Sequence, residues 1–268
     1  LDYSRKASGN EEGTSGRYLL SGQVSEVDQL TTNYRLTDAS GTDEVLWGGI
    51  ANFNYQVHPK HTLGVNLMYN HSGRSNARSQ TGPFPRDLSE DAVYETRTLH
   101  YTERTMNAYQ LRGKHHFGNE RGPTLEWNST LAETEQREPD LRFFTDNYTA
   151  FDRGGRIDTV YSIRPSIYPL PARYFRDLAE DNITSEANLS IPFYQWSGRR
   201  SSLKLGAMYQ DKSRTFRERR FRFKQDAISY RGNPDAFWNA ENIGILEEKS
   251  SETFFRFGHY IQDATQRS

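Results

Sequence analysis

The side chains able to do chemistry are acids, bases and imidazoles, because the chain contains no cysteine. Seven histidines are scattered along it: His58, His61, His71, His100, His115, His116 and His259. His58 and His61 share a short turn and are close enough in sequence to share an ion, but no third ligand stands nearby in sequence. His115 and His116 are adjacent, so on a strand they point to opposite faces and cannot hold one metal together. Asp38, Asp43 and Glu44 flank a Ser-Gly pair that reads as a loop, where hard oxygen ligands gather around calcium, though the spacing is not that of an EF-hand. Glu133 and Glu135 share a strand face, as a glycosidase's two carboxylates would, but any charged strand offers such pairs. There is no Gly-x-Ser-x-Gly elbow and no phosphate loop. The expectation is therefore no catalytic residue, no metal site and no cofactor. The densest basic run is Arg214, Arg217, Arg219, Arg220 and Arg222, interleaved with Phe216 and Phe221. It reads as a strand paired with acidic neighbours, or as a contact for an anionic ligand or for lipopolysaccharide phosphates. The five Asn-x-Ser/Thr triplets, at Asn70, Asn128, Asn147, Asn182 and Asn188, carry meaning only in a eukaryotic secretory protein.

The elements that position these groups follow from composition. Lys and Arg total 34 against 35 Asp and Glu, so no global charge favours nucleic acid. The absence of cysteine excludes a disulfide scaffold and a thiolate zinc site. A mean hydropathy of −0.91 is too polar for a helical membrane bundle. Yet aromatic residues reach 13%, which disordered chains do not. Polar and aromatic together fit strands with one apolar face.

That pattern is explicit from Val45 to Val57, where Val45, Trp47, Gly49, Ala51, Phe53, Tyr55 and Val57 alternate with polar Asn52, Asn54 and Gln56. After a turn at His58-Pro59-Lys60-His61 it resumes with Leu63, Val65, Leu67 and Tyr69. A second unit pairs Tyr109, Leu111 and Phe117 with Leu125, Trp127 and Leu131 across a Gly-rich turn. A third pairs Ile183, Ala187, Leu189, Ile191 and Phe193 with Leu203, Leu205, Ala207 and Tyr209. Three hairpins are expected, at about 45–70, 98–136 and 183–223. Residues 1–42, 72–91, 139–180 and 224–268 read as long polar loops. Short turns at one end and long loops at the other, with alternation sustained over about 9 to 13 residues, are the marks of a transmembrane β-barrel. Trp47, Tyr55, Tyr69, Phe117, Trp127, Phe193, Tyr194 and Trp196 fall where interfacial aromatic girdles would lie.

Several stretches resemble the barrels of TonB-dependent outer-membrane receptors, particularly of the Bacteroidetes type. They are Ile50-Ala51-Asn52-Phe53-Asn54-Tyr55, Arg173-Tyr174-Phe175-Arg176-Asp177-Leu178 and Phe216-Arg217-Glu218-Arg219-Arg220-Phe221. Glu180-Asp181-Asn182 and Tyr260-Ile261-Gln262-Asp263-Ala264-Thr265 are similar too. The resemblance runs from about Asp43 onward. It implies an all-β chain that is one segment of a large antiparallel barrel of about 22 strands with a plugged lumen. Its partners would be outer-membrane lipid, the remaining barrel strands and plug of the same protein, the TonB complex acting through other segments, a transported ligand, and other outer-membrane proteins. Loops would be extracellular and short turns periplasmic. No plug or TonB box is visible in this sequence. Six strands are too few for a barrel, and an open sheet would leave edges unpaired in lipid. The expectation is a piece of a longer protein, or a wall closed by other chains. Two other readings stay open: a passive barrel or scaffold subunit of an outer-membrane complex, and a secreted β-sheet glycan-binding protein.

Overall fold

The computed structural model describes residues 2–20, 30–85, 87–119, 122–164, 169–225, 229–239, 242–244 and 259–267. The chain is nearly all antiparallel β-sheet. The long strands are β1 (Asp2–Leu20), β2 (Leu30–His58), β3 (His61–Pro83), β4 (Ala92–His116) and β5 (Thr124–Asp152). They are followed by the short β6 (Ile157–Ser162), the long β7 (Ala172–Tyr194) and β8 (Arg200–Gln225), then β9 (Ile243–Gly244) and β10 (His259–Arg267). One short helix, α1 (Pro234–Phe237), is capped by the Asn233 side chain. The sheet order is β1-β2-β3-β4-β5-β7-β8-β10-β9, with β6 pairing β5 as a side branch. Every pairing is antiparallel except the two-residue parallel contact of β9 with β10. The described sheet is open: β1 and β9 end the order and do not pair with each other.

The three expected hairpins are present, with turns at 59–60, 117–123 and 195–199. Each turn is closed by backbone hydrogen bonds, such as Phe117 N to Pro123 O and Gln195 N to Arg199 O. In the third, Gly198 takes a φ of 76°, a left-handed conformation that glycine adopts without penalty.

The strands run far beyond the alternating stretches. Most of 2–20, 30–42, 72–83, 139–152 and 172–180 is strand, where long loops were expected. Residues 21–29, 226–228 and 245–258 of the expected loops lie outside the described residues. The physical reason is that these distal halves are polar on both faces, so no period-2 signal marks them. They are held by ladder hydrogen bonds and cross-strand pairs instead. Examples are the forked ion pair of Arg5 with Asp43, the Thr96–Thr145 hydroxyl pair at 2.8 Å, and Arg176, which bonds Glu138 at 3.2 Å and Glu218 at 2.8 Å.

Among the described residues, buried hydrophobic residues gather at the distal ends. Leu36, Leu88, Ala92 and Tyr94 form one cluster, where the β3–β4 connection folds back on β2 and β4. Phe144, Tyr230 and Phe237 form another, packed by Tyr161, Ile163 and Trp238 where the segment after β8 folds back. Neither lies near the short turns.

Candidate functional site

The turn-proximal halves of the strands carry the arrangement that needs a function. From β2 to β8 the ladders there pair odd-numbered with odd-numbered residues. One continuous row is Ala51, Leu67, Tyr109, Leu131, Ile183 and Asp211. Neighbours across a ladder share a face, so every odd-numbered side chain in this region stands on one side of the sheet. That side is apolar: it carries most of the Val, Leu, Ile, Phe, Tyr and Trp residues of the three hairpins, with Leu46, Ile50 and Tyr194 on the even-numbered face. It is also exposed, with Phe53 at 62%, Leu111 at 55% and Leu205 at 54%. An apolar face spread over six long strands and left bare is far larger than the patches soluble monomers tolerate.

The face is a slanted band. Its edge away from the turns is marked by Trp47, Tyr69, Tyr109, Leu131, Ile183 and Tyr209 on successive strands. The next charged residues on the same face are mostly acidic: Asp43, Glu103, Glu133, Asp181 and Asp211. Measured along the ladders, this edge falls by about six residues from β2 to β8. That is about 20 Å of strand over about 24 Å of sheet width. The first two short turns lie at one level and the third about four residues lower, and the band is longer on β2 and β7 than on β3, β5 and β8.

Aromatic rings stand at both edges. Trp47 and Tyr69 touch at the far edge with ring centroids 4.8 Å apart. Tyr3 of β1 pairs with Trp47 in the ladder and extends that edge. Tyr55, Phe117, Phe193, Tyr194 and Trp196 flank the turns, and Trp196 at a turn tip is fully exposed. Trp127 lies near the turn edge and has a further role. Its indole lies across Gly113, where a Cβ would sit 2.4 Å from Nε1. From there Nε1 donates to His115 Nε2 at 3.0 Å. With Nε2 accepting, a neutral His115 carries its proton on Nδ1, which donates to His61 Nδ1 3.2 Å away. His58 stacks beside His61 at 5.5 Å.

The structure thus brings His115 to the His58/His61 turn, a neighbour invisible in the sequence because it comes from β4. These bonds engage both ring nitrogens of His115 and Nδ1 of His61, and the Lys60 backbone N–H donates to His58 Nδ1. Among the described residues no group of three or more His, Asp or Glu is placed to hold a metal ion. His116 points away, to Thr124 and the Asn119 carbonyl. Asp38, Asp43 and Glu44 lie within strand β2, not in a loop. Asp38 is taken by Arg78 and Gln80, and Asp43, on the opposite face, by Arg5. Glu133 and Glu135 do share the odd face, where Glu135 pairs with Arg137.

The even-numbered side is polar and concave. Near the turns it forms a cleft of about 480 Å³ whose groups satisfy one another. Lys114 pairs with Glu126 at 2.7 Å, Arg112 donates to Asn54 at 2.9 Å and Asn128 to Glu186 at 2.6 Å. Farther from the turns a larger cleft of about 800 Å³ spans β1 to β5. No helix among the described residues is long and apolar enough to cross a membrane.

The arginine run of β8 is divided between the faces. Arg217 and Arg219 stand on the odd side, where Arg217 pairs in the ladder with Asp177 and Arg219 lies 5.5 Å from the Phe175 ring. Arg214, Arg220 and Arg222 stand on the even side, where Arg214 approaches Glu180 at 3.9 Å. On β8 the outward pair lies about 25–35 Å along the strand beyond Tyr209, at the usual rise per residue. The level just above the band is acidic instead.

Asp146 is the most deeply buried ionisable group, 1% exposed beneath the distal cluster. Burial pushes its carboxyl above the ordinary range, opposed by Tyr230 and by Arg97, whose Nη1 is 3.6 Å away. Burial likewise drives the Tyr230 hydroxyl far up.

Comparison with known proteins returns no match: no family model fits the chain, and no curated protein or solved structure is similar to it.

Proposed function

We propose that this chain is a stretch of wall from a large outer-membrane β-barrel that acts as a ligand receptor and transporter, and that it does no catalysis. The observation that carries the wall is the exposed, aromatic-edged, slanted apolar band backed by a polar concave face. An antiparallel sheet crossing a bilayer must put an apolar band of about 25 Å against lipid and turn its polar side to a lumen. Its strands must also tilt by about 35–45°. The fall of the band edge, about 20 Å over about 24 Å, corresponds to a tilt of about 40°. One of the longer stretches of band, Ile183 to Phe193 on β7, is about 34 Å along the strand and about 26 Å in height at that tilt. The alternative in which a second sheet covers this face is not favoured, because the buried cores lie elsewhere.

On this reading the short turns face the periplasm. The distal strand halves rise beyond the outer leaflet with their capped connections. The open edges pair with further strands. Coupling to the TonB complex and a plug rests on the resemblance of Arg173–Leu178, Phe216–Phe221 and the related stretches to that receptor family. The wall itself needs only the band.

The test uses the absence of cysteine. Single cysteines at Leu67, Leu111 and Leu205, and at Ser75, Ser213 and Thr215, are introduced into the full-length protein in intact cells, after replacing any cysteine outside this chain. An aqueous maleimide should label the second set and leave the first unlabelled. Equal labelling of both sets would refute the membrane wall.

A further inference from the structure

Resting on the wall reading, we infer that the distal cleft on the concave face is a binding site for a small hydroxyl-bearing anion, carboxylated or phosphorylated, held by Arg74 and Arg104. The cleft, about 800 Å³, has the volume of a small-molecule site. Its floor is built from even-numbered residues of β1 to β5. Arg74 of β3 and Arg104 of β4 lie diagonally across one ladder, because Arg74 pairs with Thr102 and Ser72 with Arg104. Two guanidiniums so placed are near enough for their N–H groups to serve one oxyanion or two on the same molecule.

These arginines differ from the other lysines and arginines lining the two clefts. In the turn-proximal cleft Lys114 is neutralised by Glu126 and Arg112 is bonded to Asn54. Within the distal cleft itself Arg78 is forked onto Asp38. Arg74 and Arg104 form no ion pair with the described residues, although Arg104 adds to the field that lowers the Glu180 carboxyl. The one unpaired carboxylate lining the cleft, Glu44, sits opposite both Arg74 and Lys6 in the ladders. The cleft therefore keeps an excess of positive charge, although the whole chain carries a formal −1.

The remaining lining sets the rest of the ligand. Ser40, Thr42, Ser72, Thr102 and Asn76 supply hydroxyl and amide groups, no Phe, Tyr, Trp or branched aliphatic side chain lines the cleft, and its one ring is the His100 imidazole, 3.4 Å from Glu138. A flat apolar macrocycle would find no apolar surface to pack against, and a neutral sugar no Phe, Tyr or Trp ring to stack on. A hydroxylated anion would find both its charge and its hydroxyls matched.

The test uses the full-length protein in detergent, with its heat-dependent gel shift checked first so that the barrel is known to be folded. Calorimetry is run with trigalacturonate as the carboxylated probe, glucose 1-phosphate as the phosphorylated one and maltotriose as the neutral control. The expected result is binding of one or both anions but not maltotriose. Binding should weaken about tenfold or more in each of Arg74→Gln and Arg104→Gln, with the gel shift intact. Arg112→Gln, in the lower cleft, should bind as the parent does. Which anion binds identifies carboxylate or phosphate as the source. A folded barrel that binds neither anion, binds maltotriose equally well, or binds unchanged in both arginine variants overturns the inference while leaving the wall reading standing. A plug segment already seated on the arginines would give the first of these results.

Discussion

A single charge placed within the apolar band should separate lipid contact from simple exposure. Leu205 stands on the odd face of β8, between Leu203 and Ala207 and opposite Leu189 of β7. On that strand the band runs from Leu203 to Tyr209, so Leu205 lies well inside it. If this face meets hydrocarbon, Leu205→Arg costs about 2–4 kcal/mol, the penalty for arginine near the midplane of a barrel wall. Ser213 is on the same face of the same strand, about 27 Å farther along, or about 20 Å in height at a 40° tilt. Ser213→Arg, in water, should fall within about 0.5 kcal/mol of the parent. The assay is the urea midpoint for refolding of the full-length protein into lipid vesicles, read by the heat-dependent gel shift, with the slope checked for constancy. In water the outcome inverts: Leu205 is already exposed, and exchanging it for arginine would be neutral. Equal effects of the two substitutions, both below about 0.5 kcal/mol, would refute the lipid contact on which the functional reading depends.

Gly113→Ala should destabilise by about 1–3 kcal/mol, because the new Cβ overlaps the Trp127 indole that reaches His115. The penalty should largely vanish in a Trp127→Ala background, and a double-mutant cycle measures that coupling. Arg176→Met should cost about 1.5–3 kcal/mol, since it strips the charged partner from both Glu138 and Glu218. Protease cutting within 138–142 or 172–178 reports it, and an unchanged cutting pattern would deny the ion pairs their role. Asp146 predicts a pH dependence. Its carboxyl is raised in the folded state, so the packed state holds its proton more tightly than the free segment does. Its contribution is therefore fully present below the unfolded value near 3.8 and is lost as pH rises through the folded value. Hydrogen exchange in 229–239 should quicken over that window, and Asp146→Asn should flatten the change. A window displaced below 3.8 would contradict burial as the cause.

The turn-proximal half of the fold was legible because one of its faces is apolar. Alternation at Val45–Val57, Ile183–Phe193 and Leu203–Tyr209 fixed strand, face and turn together, since a slip of one residue would exchange the faces. The distal halves offered no such constraint. Arg74, Asn76, Arg78 and Gln80 read as a loop, yet each occupies a ladder position opposite β2 and β4. The backbone pairs there regardless of side-chain polarity, and only cross-strand partners such as Asp38 for Arg78 record the fact. Those partners are about 40 residues away in sequence, beyond the reach of local pattern. For the same reason the His115–His61 contact and the diagonal placement of Arg74 and Arg104 across β3 and β4 lay beyond the reach of sequence pattern. The β8 arginines were found as a run, but strand geometry divides a run between two faces.

The slant of the band ties these levels together. In an isolated hairpin the place where apolar residues give way to polar ones depends only on that hairpin. Across the sheet, however, the change occurs at Trp47, Tyr69, Tyr109, Leu131, Ile183 and Tyr209, a line set by registers between strands distant in sequence. A soluble sheet packed on a second layer has no need to move its boundary steadily from strand to strand. A wall whose strands lean through a flat slab does, because the slab's surface cuts each tilted strand at a successively shifted residue. The shift totals about six residues, four between β2 and β4 and two between β7 and β8, with none from β4 to β7, and averaged over the six strands it matches a lean of about 40°. On the wall proposal, the amino-acid order of three separate hairpins and the hydrogen-bond register between them would together set where the sheet meets the bilayer surface.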